Sequence, residues 1–118
     1  MTNRLRVSLV IPVYNEESHL AACLDAIAAQ TVQPFEVIVV DNNSTDQTVA
    51  IAQRYPFVRL LHEKRQGVVF ARDRGFTAAR GDVIGRTDGD SILAPDWVAE
   101  IHRIFANPTV DAASGIVS

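Results

Sequence analysis

Residues 82–90 read Asp-Val-Ile-Gly-Arg-Thr-Asp-Gly-Asp. The apolar run at 83–85 predicts a short strand, and Asp88 and Asp90 follow it within a few residues. On an extended backbone, residues two apart point to the same side, and Gly89 between them adds no side chain against a ligand. Two carboxylates beside open space suit Mg²⁺ or Mn²⁺, which keep water or phosphate oxygens as their other ligands. Asp-x-Asp is also an ordinary turn sequence, so the metal hypothesis depends on the rest of the chain.

Strand and helix patterns alternate along the whole chain. Apolar runs rich in branched residues predict strands at 6–13, 35–40, 58–62, 82–87 and 110–117. Helical spacing and end signals predict helices around 20–27, from a capping box at 44–47 to just before Pro56, over 68–79 and over 95–105. This alternation predicts an α/β fold, with a mostly parallel Rossmann-like sheet flanked by helices, in a single domain over 1–118.

Composition restricts the class of partner. The chain has 118 residues, of which 47% are hydrophobic, and its 11 basic and 14 acidic residues give a net charge of -3. The basic residues are scattered rather than clustered, so we expect no nucleic-acid partner. No segment approaches the ~20 apolar residues of a membrane span. The single cysteine, Cys23, excludes an internal disulfide, fits a reducing compartment and is expected to be a packed thiol in a helix.

Polar residues follow the predicted strands, and ligands of parallel α/β sheets bind beyond the carboxyl ends of the strands. The residues concerned are Tyr14, Asn15 and Glu16, then Asp41, Asn42 and Asn43, then the loop 64–67, and finally Asp88 and Asp90. The glycine-rich turn of dinucleotide-binding domains and the P-loop sequence are both missing. The phosphates of a nucleotide ligand therefore need another counter-charge, which a cation at Asp88 and Asp90 would supply.

Four segments carry a family resemblance. They are Val-Ser-Leu-Val-Ile-Pro-Val-Tyr-Asn-Glu-Glu at 7–17, Val-Ile-Val-Val-Asp-Asn-Asn-Ser-Thr-Asp at 37–46, Gly-Val-Val-Phe-Ala-Arg-Asp-Arg-Gly at 67–75 and Thr-Asp-Gly-Asp at 87–90. In order and spacing they resemble the family 2 glycosyltransferases. The resemblance implies a GT-A fold, a nucleotide-sugar donor and Mg²⁺ or Mn²⁺. It implies these roles: Pro12, Tyr14 and Glu16 around the nucleoside, Asp41 as acceptor of a base N–H, Arg72 on the nucleotide side, Asp88 at the ribose or a metal-bound water, and Asp90 on the metal.

The resemblance also implies sugar transfer to an acceptor hydroxyl, with inversion at the anomeric carbon. Similar enzymes carry the catalytic base and the acceptor site further along, so we expect both beyond Ser118 and read the chain as a donor-binding part. A UDP-sugar is the first expectation for the donor and a GDP-sugar the second, while the acceptor is open. We further expect a cytoplasmic protein, at the cytoplasmic face of a membrane in its full-length form, and a homodimer paired through the last strand.

Several assignments have alternatives. Two other functions remain open: a non-catalytic nucleotide-sugar binding module and a sugar-1-phosphate nucleotidyltransferase. The nucleotidyltransferases share a glycine-rich first loop with one another, and this chain lacks that loop. Asp73 stands where relatives commonly have Asn, and pairing with Arg72 or Arg74 would weaken the role of Arg72. The remaining expectations are loop or cap roles for Asn42, Asn43 and Ser44, rim or surface positions for His62, His19 and His102, and core packing for Trp97.

Overall fold

The computed structural model describes residues 5–106 and the backbone of residues 116–117. Strands and helices alternate as β1 (Val7–Val13), α1 (Leu20–Ala28), β2 (Glu36–Asp41), α2 (Thr48–Gln53), β3 (Val58–His62), α3 (Val68–Ala78), β4 (Val83–Arg86), α4 (Trp97–Phe105) and β5 (Ile116–Val117). The first four predicted strands agree within one residue at each end. Only the end of the predicted fifth strand is described, since residues 110–115 of that prediction lie outside the described residues.

All the strand pairs are parallel, in the order β3-β2-β1-β4-β5. This sheet confirms the predicted α/β fold class. From β1, the strands β2 and β3 are added to the sheet in one direction, and β4 then pairs with the other side of β1. The order of the strands therefore reverses at β1, and the crevice beyond the carboxyl ends at such a point is where α/β sheets bind ligands.

Both faces of the sheet are covered, which explains the continuous apolar run of β1. Every residue of β1 is buried. Alternate β1 side chains, from Val7 to Val13, pack with residues of α1, α2 and α4 in the larger core cluster. A smaller cluster on Ile38 and Val40 of β2 packs against Ala71 of α3. Because β1 lies between two strands and two helical layers, a polar residue there needs a partner, and Ser8 has one in Glu36 (Oγ to Oε1, 2.7 Å).

Helix starts differ from the sequence predictions at two places. The predicted capping box at 44–47 is wrong, because α2 begins at Thr48 and its N-cap, Gln47, makes no side-chain cap. Instead, Asp46 Oδ1 accepts the backbone N–H of Thr48 at 2.9 Å. The last helix begins at Trp97 rather than at residue 95, after a turn in which the Trp97 N–H donates to the carbonyl of Ala94.

Trp97 packs against the larger core cluster, as predicted. The backbone of Gly85 lies so close that a Cβ there would be 2.7 Å from Trp97 Cη2. Cys23 is fully buried in the same cluster, which agrees with a packed thiol. None of the helices in the described part of the chain combines the length and the apolar character needed to cross a membrane.

Candidate nucleotide-binding site

The carboxyl ends of β1, β2, β3 and β4 bring the polar loops to one edge of the sheet. In the strand register, Val13 pairs with Asp41, and Asp41 pairs with His62. The β1 loop therefore starts beside the β2 loop, and the β3 loop starts on the other side of Asp41. Thr87 donates its backbone N–H to the carbonyl of Val10, so the Asp88 and Asp90 segment leaves the sheet on the opposite side of β1.

A cavity of about 390 Å³ opens between these loops. Five of the predicted site residues line it: Pro12, Tyr14, Glu16, Asp88 and Asp90. The rest of its lining is Val13, Asn42, Gln66, Gly67, Val68, Ala71 and Gly89. Asp41 and Arg72 are each adjacent in sequence to a lining residue, Asn42 and Ala71, but do not themselves line the cavity. The structure thus brings the β1 and β4 residues together directly.

The sequence pattern predicts Asp88 and Asp90 on an extended backbone, but in the structure they lie in a turn beyond the end of β4. β4 ends at Arg86, and the Ser91 N–H donates to the Asp88 carbonyl at 3.0 Å, which closes a turn. Both aspartates are exposed and line the same cavity. The turn, rather than the alternation of side chains along a strand, therefore brings them together. Gly89 is buried between them, and a Cβ there would be 2.9 Å from Val13 Cγ1. Its lack of a side chain therefore serves packing against β1.

The acidic character of this end of the cavity is seen in Cys23. Burial, together with the negative charges of Asp90, Glu16 and Asp88, raises the pKa of the Cys23 thiol to about 12. The Sγ atom of Cys23 lies 3.6 Å from the Asp88 carbonyl oxygen, directly behind the turn. Three carboxylates act on one thiol, so the potential at this end of the cavity favours a cation.

The donor set fits a cation that takes few protein ligands. Within residues 5–106 and 116–117, no group of three His, Cys, Asp or Glu side chains is arranged to hold a metal ion. A structural zinc site, which needs four protein ligands, is therefore not formed by the described residues. Mg²⁺ and Mn²⁺ are bound through one or two carboxylates together with water and substrate phosphates, which matches Asp88 and Asp90 beside an open cavity.

Asp41 is a buried carboxylate whose two oxygens differ. Oδ2 accepts the backbone N–H of Ser44 at 3.3 Å and lies 3.7 Å from His62 Nδ1. Oδ1 is buried and has no hydrogen-bond partner among the described residues. A buried charged oxygen without a partner is costly, and Oδ1 belongs to the residue that directly precedes Asn42 of the cavity lining. His62 lies exposed at the rim, as predicted.

The β1 loop is attached to the β2–α2 loop by backbone donors. Successive N–H groups donate to side chains across the crevice: Asn15 to Ser44 Oγ at 2.9 Å, Glu16 to Thr48 Oγ1 at 2.8 Å and Glu17 to Asp46 Oδ2 at 3.3 Å. Asn15 has a left-handed backbone (φ 49°) and accepts the Thr45 N–H at 2.8 Å. Ser44, which local sequence predicted as a helix cap, therefore fixes the loop that carries Tyr14 and Glu16.

Asn42 is a site residue whose role the sequence reading missed. Its Nδ2 donates to the carbonyls of Glu63 (2.9 Å) and Arg65 (2.8 Å), and its Oδ1 accepts the Gly67 N–H at 2.8 Å. Asn42 is buried, so it holds the loop between β3 and α3 against β2. That loop supplies Gln66 and Gly67 to the cavity. Only its position directly after a buried strand marked Asn42 in the sequence.

Arg72 is partly buried on α3, one residue from Ala71 in the cavity wall. The predicted pairing of Asp73 with Arg72 or Arg74 is not observed, because no salt bridge within 4.0 Å among the described residues involves Asp73. The ion pair formed near this helix joins Arg65 to Glu63, and the guanidinium carbon of Arg65 lies 4.7 Å from the centre of the Phe70 ring.

Known proteins resemble this chain in sequence and in structure. The glycosyl transferase family 2 model matches residues 8–118. Glycosyltransferase AglE of Haloferax volcanii is 33% identical over 118 residues, covering 94% of this chain and 39% of AglE. The mannosyltransferase PcManGT from Pyrobaculum calidifontis, in complex with GDP-Man and Mn²⁺, superposes with a TM-score of 0.82 at 34% identity, covering 92% of this chain and 34% of PcManGT.

A second structural likeness is to S. aureus TarS in complex with UDP, with a TM-score of 0.81 and 25% identity, covering 86% of this chain and 32% of TarS. These structures confirm the predicted fold. The chain spans 39% of AglE, 34% of PcManGT and 32% of TarS, so the matched part is well under half of each protein.

Proposed function

The chain belongs to glycosyl transferase family 2, and we propose that it binds the nucleotide-sugar donor of a sugar transfer to an acceptor hydroxyl. One observation carries the proposal. The cavity at the point where strand order reverses is lined by Tyr14, Glu16, Asp88 and Asp90, and Asp41, whose Oδ1 has no partner among the described residues, directly precedes the lining residue Asn42. This arrangement offers a hydrogen-bond acceptor to a base and a cation site to a diphosphate.

The nucleoside end of the proposed site lies at β1 and β2. Asp41 Oδ1 accepts an N–H from the base, and the Tyr14 ring, 51% exposed, and Pro12 form the adjoining wall. Glu16 is oriented from two sides, since Thr48 holds its backbone N–H and His19 Nδ1 lies 3.5 Å from its carboxylate. Asn42 holds the loop 63–67 by its hydrogen bonds, and this loop supplies Gln66 and Gly67 to the cavity lining.

The diphosphate end lies at Asp88 and Asp90, which would hold Mg²⁺ or Mn²⁺. When bound, such a cation supplies positive charge against the leaving diphosphate, a contribution of several kcal/mol in metal-assisted reactions generally. Asp90 is the proposed direct ligand, and Asp88 reaches the ribose or a water on the cation. PcManGT in complex with GDP-Man and Mn²⁺ supports this choice of cation. Arg72 adds positive charge from α3 on the nucleotide side.

The transfer itself needs groups that this proposal assigns to other parts of the enzyme. Glycosyl transfer passes through an oxocarbenium-like state, and inversion requires a carboxylate that takes the proton of the attacking acceptor hydroxyl. We propose that this base and the acceptor site belong to the part of the relatives that the chain does not span. We also propose a location at the cytoplasmic face of a membrane, and a homodimer paired through β5, which is the outermost strand beside β4.

Calorimetric titration tests the donor site. We expect UDP or GDP to bind with Mn²⁺ present and to bind weakly or not at all in EDTA. Asp90→Ala should abolish the dependence on Mn²⁺, while Asp96→Ala, which removes an exposed carboxylate that makes no cap at the start of α4, should leave it intact. Equal affinity with Mn²⁺ and with EDTA would refute the metal assignment. Binding without transfer in the full-length protein would favour a non-catalytic binding module.

A further inference from the structure

We infer that Gln30 is a positioning residue for the cation end of the donor site. Its buried amide holds the segment 94–98, which follows the turn of Asp88 and Asp90 and leads into α4. The inference rests on the proposed donor site and adds to it a residue outside the cavity. Gln30 lies just beyond the end of α1, is 5% exposed and does not line the cavity. It therefore acts through the backbone that it binds.

The Gln30 amide makes three hydrogen bonds, two of them to the segment 94–98. Nε2 donates to the carbonyl of Ala94 at 2.6 Å and to that of Ala26 at 3.3 Å. Oε1 accepts the Val98 N–H at 3.0 Å. Each contact pairs a donor with an acceptor, which fixes the orientation of the amide. A buried polar group that is satisfied in this way makes the structure around it rigid.

The segment and the turn are both attached to the α1 side of the molecule. The residue after Gln30 repeats its connection, since the Thr31 N–H donates to the Pro95 carbonyl at 2.8 Å. The turn itself is backed by α1, because Cys23 Sγ lies 3.6 Å from the Asp88 carbonyl oxygen. Residues 91–93 alone separate the turn from the segment 94–98. Loss of the Gln30 contacts would therefore free the backbone directly after the proposed cation ligands.

The segment 94–98 also reaches the space beside the cation site. A second cavity, of about 290 Å³, shares Asp88 with the donor cavity and is lined by Leu93 and Trp97 among others. The Trp97 N–H donates to the Ala94 carbonyl at 3.0 Å, and this is the carbonyl that Gln30 holds. Trp97 is the single tryptophan of the chain, so its fluorescence reports on this segment.

Calorimetric titration of two variants tests the inference, with UDP or GDP, whichever the wild-type protein binds, over a series of Mn²⁺ concentrations. Gln30→Glu removes both N–H donors and places a carboxylate oxygen against the Ala94 carbonyl. Gln33→Glu is the matched control, because Gln33 Nε2 also donates to two carbonyls near the end of α1, those of Ala28 and Gln30, at 3.0 Å each. Gln33 makes no contact of this kind with the segment 94–98.

We expect the Mn²⁺ concentration that half-saturates nucleotide binding to rise about fivefold in Gln30→Glu, less than the about 10–100-fold typical of groups bonded directly to a metal ligand. Trp97 fluorescence should shift in that variant while circular dichroism shows a folded protein. Gln33→Glu should match the wild-type protein in both measurements. An unchanged Mn²⁺ requirement in Gln30→Glu would overturn the inference and leave the donor site intact. Equal losses in the two variants would also overturn it, since they would show a role in stabilising α1 alone.

Hydrogen exchange in the wild-type protein tests the same coupling without a substitution. Because linkage is reciprocal, a contact that favours the cation site is itself favoured by the bound cation. Nucleotide with Mn²⁺ should therefore slow exchange of the Val98 N–H, which donates to Gln30, more than exchange of the Ala29 N–H, which donates to Asp25. Equal slowing at the two amides would overturn the inference. Absence of Mn²⁺-dependent nucleotide binding would overturn the proposed donor site, and the inference with it.

Discussion

Asn42→Ala should destabilise the protein by about 2–4 kcal/mol, because Asn42 makes three short hydrogen bonds to one loop. Two of them satisfy the carbonyls of Glu63 and Arg65, and the third satisfies the Gly67 N–H. At about 1 kcal/mol net for each bond the direct loss is about 3 kcal/mol. Carbonyls left without partners in the buried region raise the loss, and release of the ordered side chain lowers it by up to about 1 kcal/mol.

Urea unfolding monitored by circular dichroism measures that loss as a lower midpoint with an unchanged slope. Asn42→Asp is the matched variant, since it keeps the shape and the acceptor for the Gly67 N–H but turns a carboxylate oxygen toward the carbonyls of Glu63 and Arg65. It should be destabilised at neutral pH, and its difference from the wild-type protein should become smaller in acid, where the single O–H of the protonated carboxyl donates to one of the two carbonyls. Nucleotide affinity should fall in both variants. A loss below about 1 kcal/mol in Asn42→Ala would refute the reasoning, because it would mean that water replaces the side chain.

Three further predictions concern buried groups. Burial and nearby carboxylates raise the pKa of the Cys23 thiol from 9.0 to about 12, so Cys23 should resist a thiol reagent at pH 8 in the native protein and react at once in urea. Fast labelling of the native protein would contradict its burial. Hydrogen bonds from the Arg65 side chain and backbone lower the pKa of Glu63 to about 2 from 4.5. This contribution to stability is complete above pH 4.5 and is lost as the pH falls toward 2. The melting temperature of Glu63→Gln should therefore fall less than that of the wild-type protein between pH 4.5 and pH 2. An equal fall in both proteins would contradict the prediction. Gly75→Ala places a Cβ 2.3 Å from Val10 Cγ1 and should lower the stability of the protein by about 1–3 kcal/mol, although alanine has the better helix propensity. Thr77→Ala, at an exposed position of the same helix, should not destabilise the protein. Equal urea midpoints for the two variants would refute the close contact.

Much of the fold could be predicted because the local patterns agree with the tertiary structure. The continuous apolar run of β1 requires burial on both faces, and only a central strand between helical layers provides it. Four polar loops following four parallel strands must then meet at one edge, whatever the details of each loop. The same argument predicts that Tyr14, Glu16, Asp88 and Asp90 lie near one another, and all four line one cavity in the structure.

The errors arise where a residue bonds across the crevice. Ser44 has the local pattern of a helix cap, but its hydroxyl accepts the N–H of Asn15, 29 residues away. Gly89 lines the cavity, but a Cβ there would also meet Val13 Cγ1 at 2.9 Å and Glu16 Cγ at 3.1 Å, contacts that the sequence pattern does not predict. Asn42 holds backbone groups 21 to 25 residues away. No local spacing encodes contacts of this kind, because their geometry exists only after the strands have paired.

The two ends of the proposed donor site differ in what they cost the protein when no ligand is present. Asp88 and Asp90 are exposed, so water solvates their charges and an empty cation site carries little penalty. Asp41 is buried with one oxygen unpartnered, which costs about 1–3 kcal/mol or more for a charged group. Donation from a base to Oδ1 would return that free energy on binding. In the proposed donor site, the cation end therefore governs the dependence on metal and the charge of the ligand, while the base end carries a stability cost that a bound base would offset.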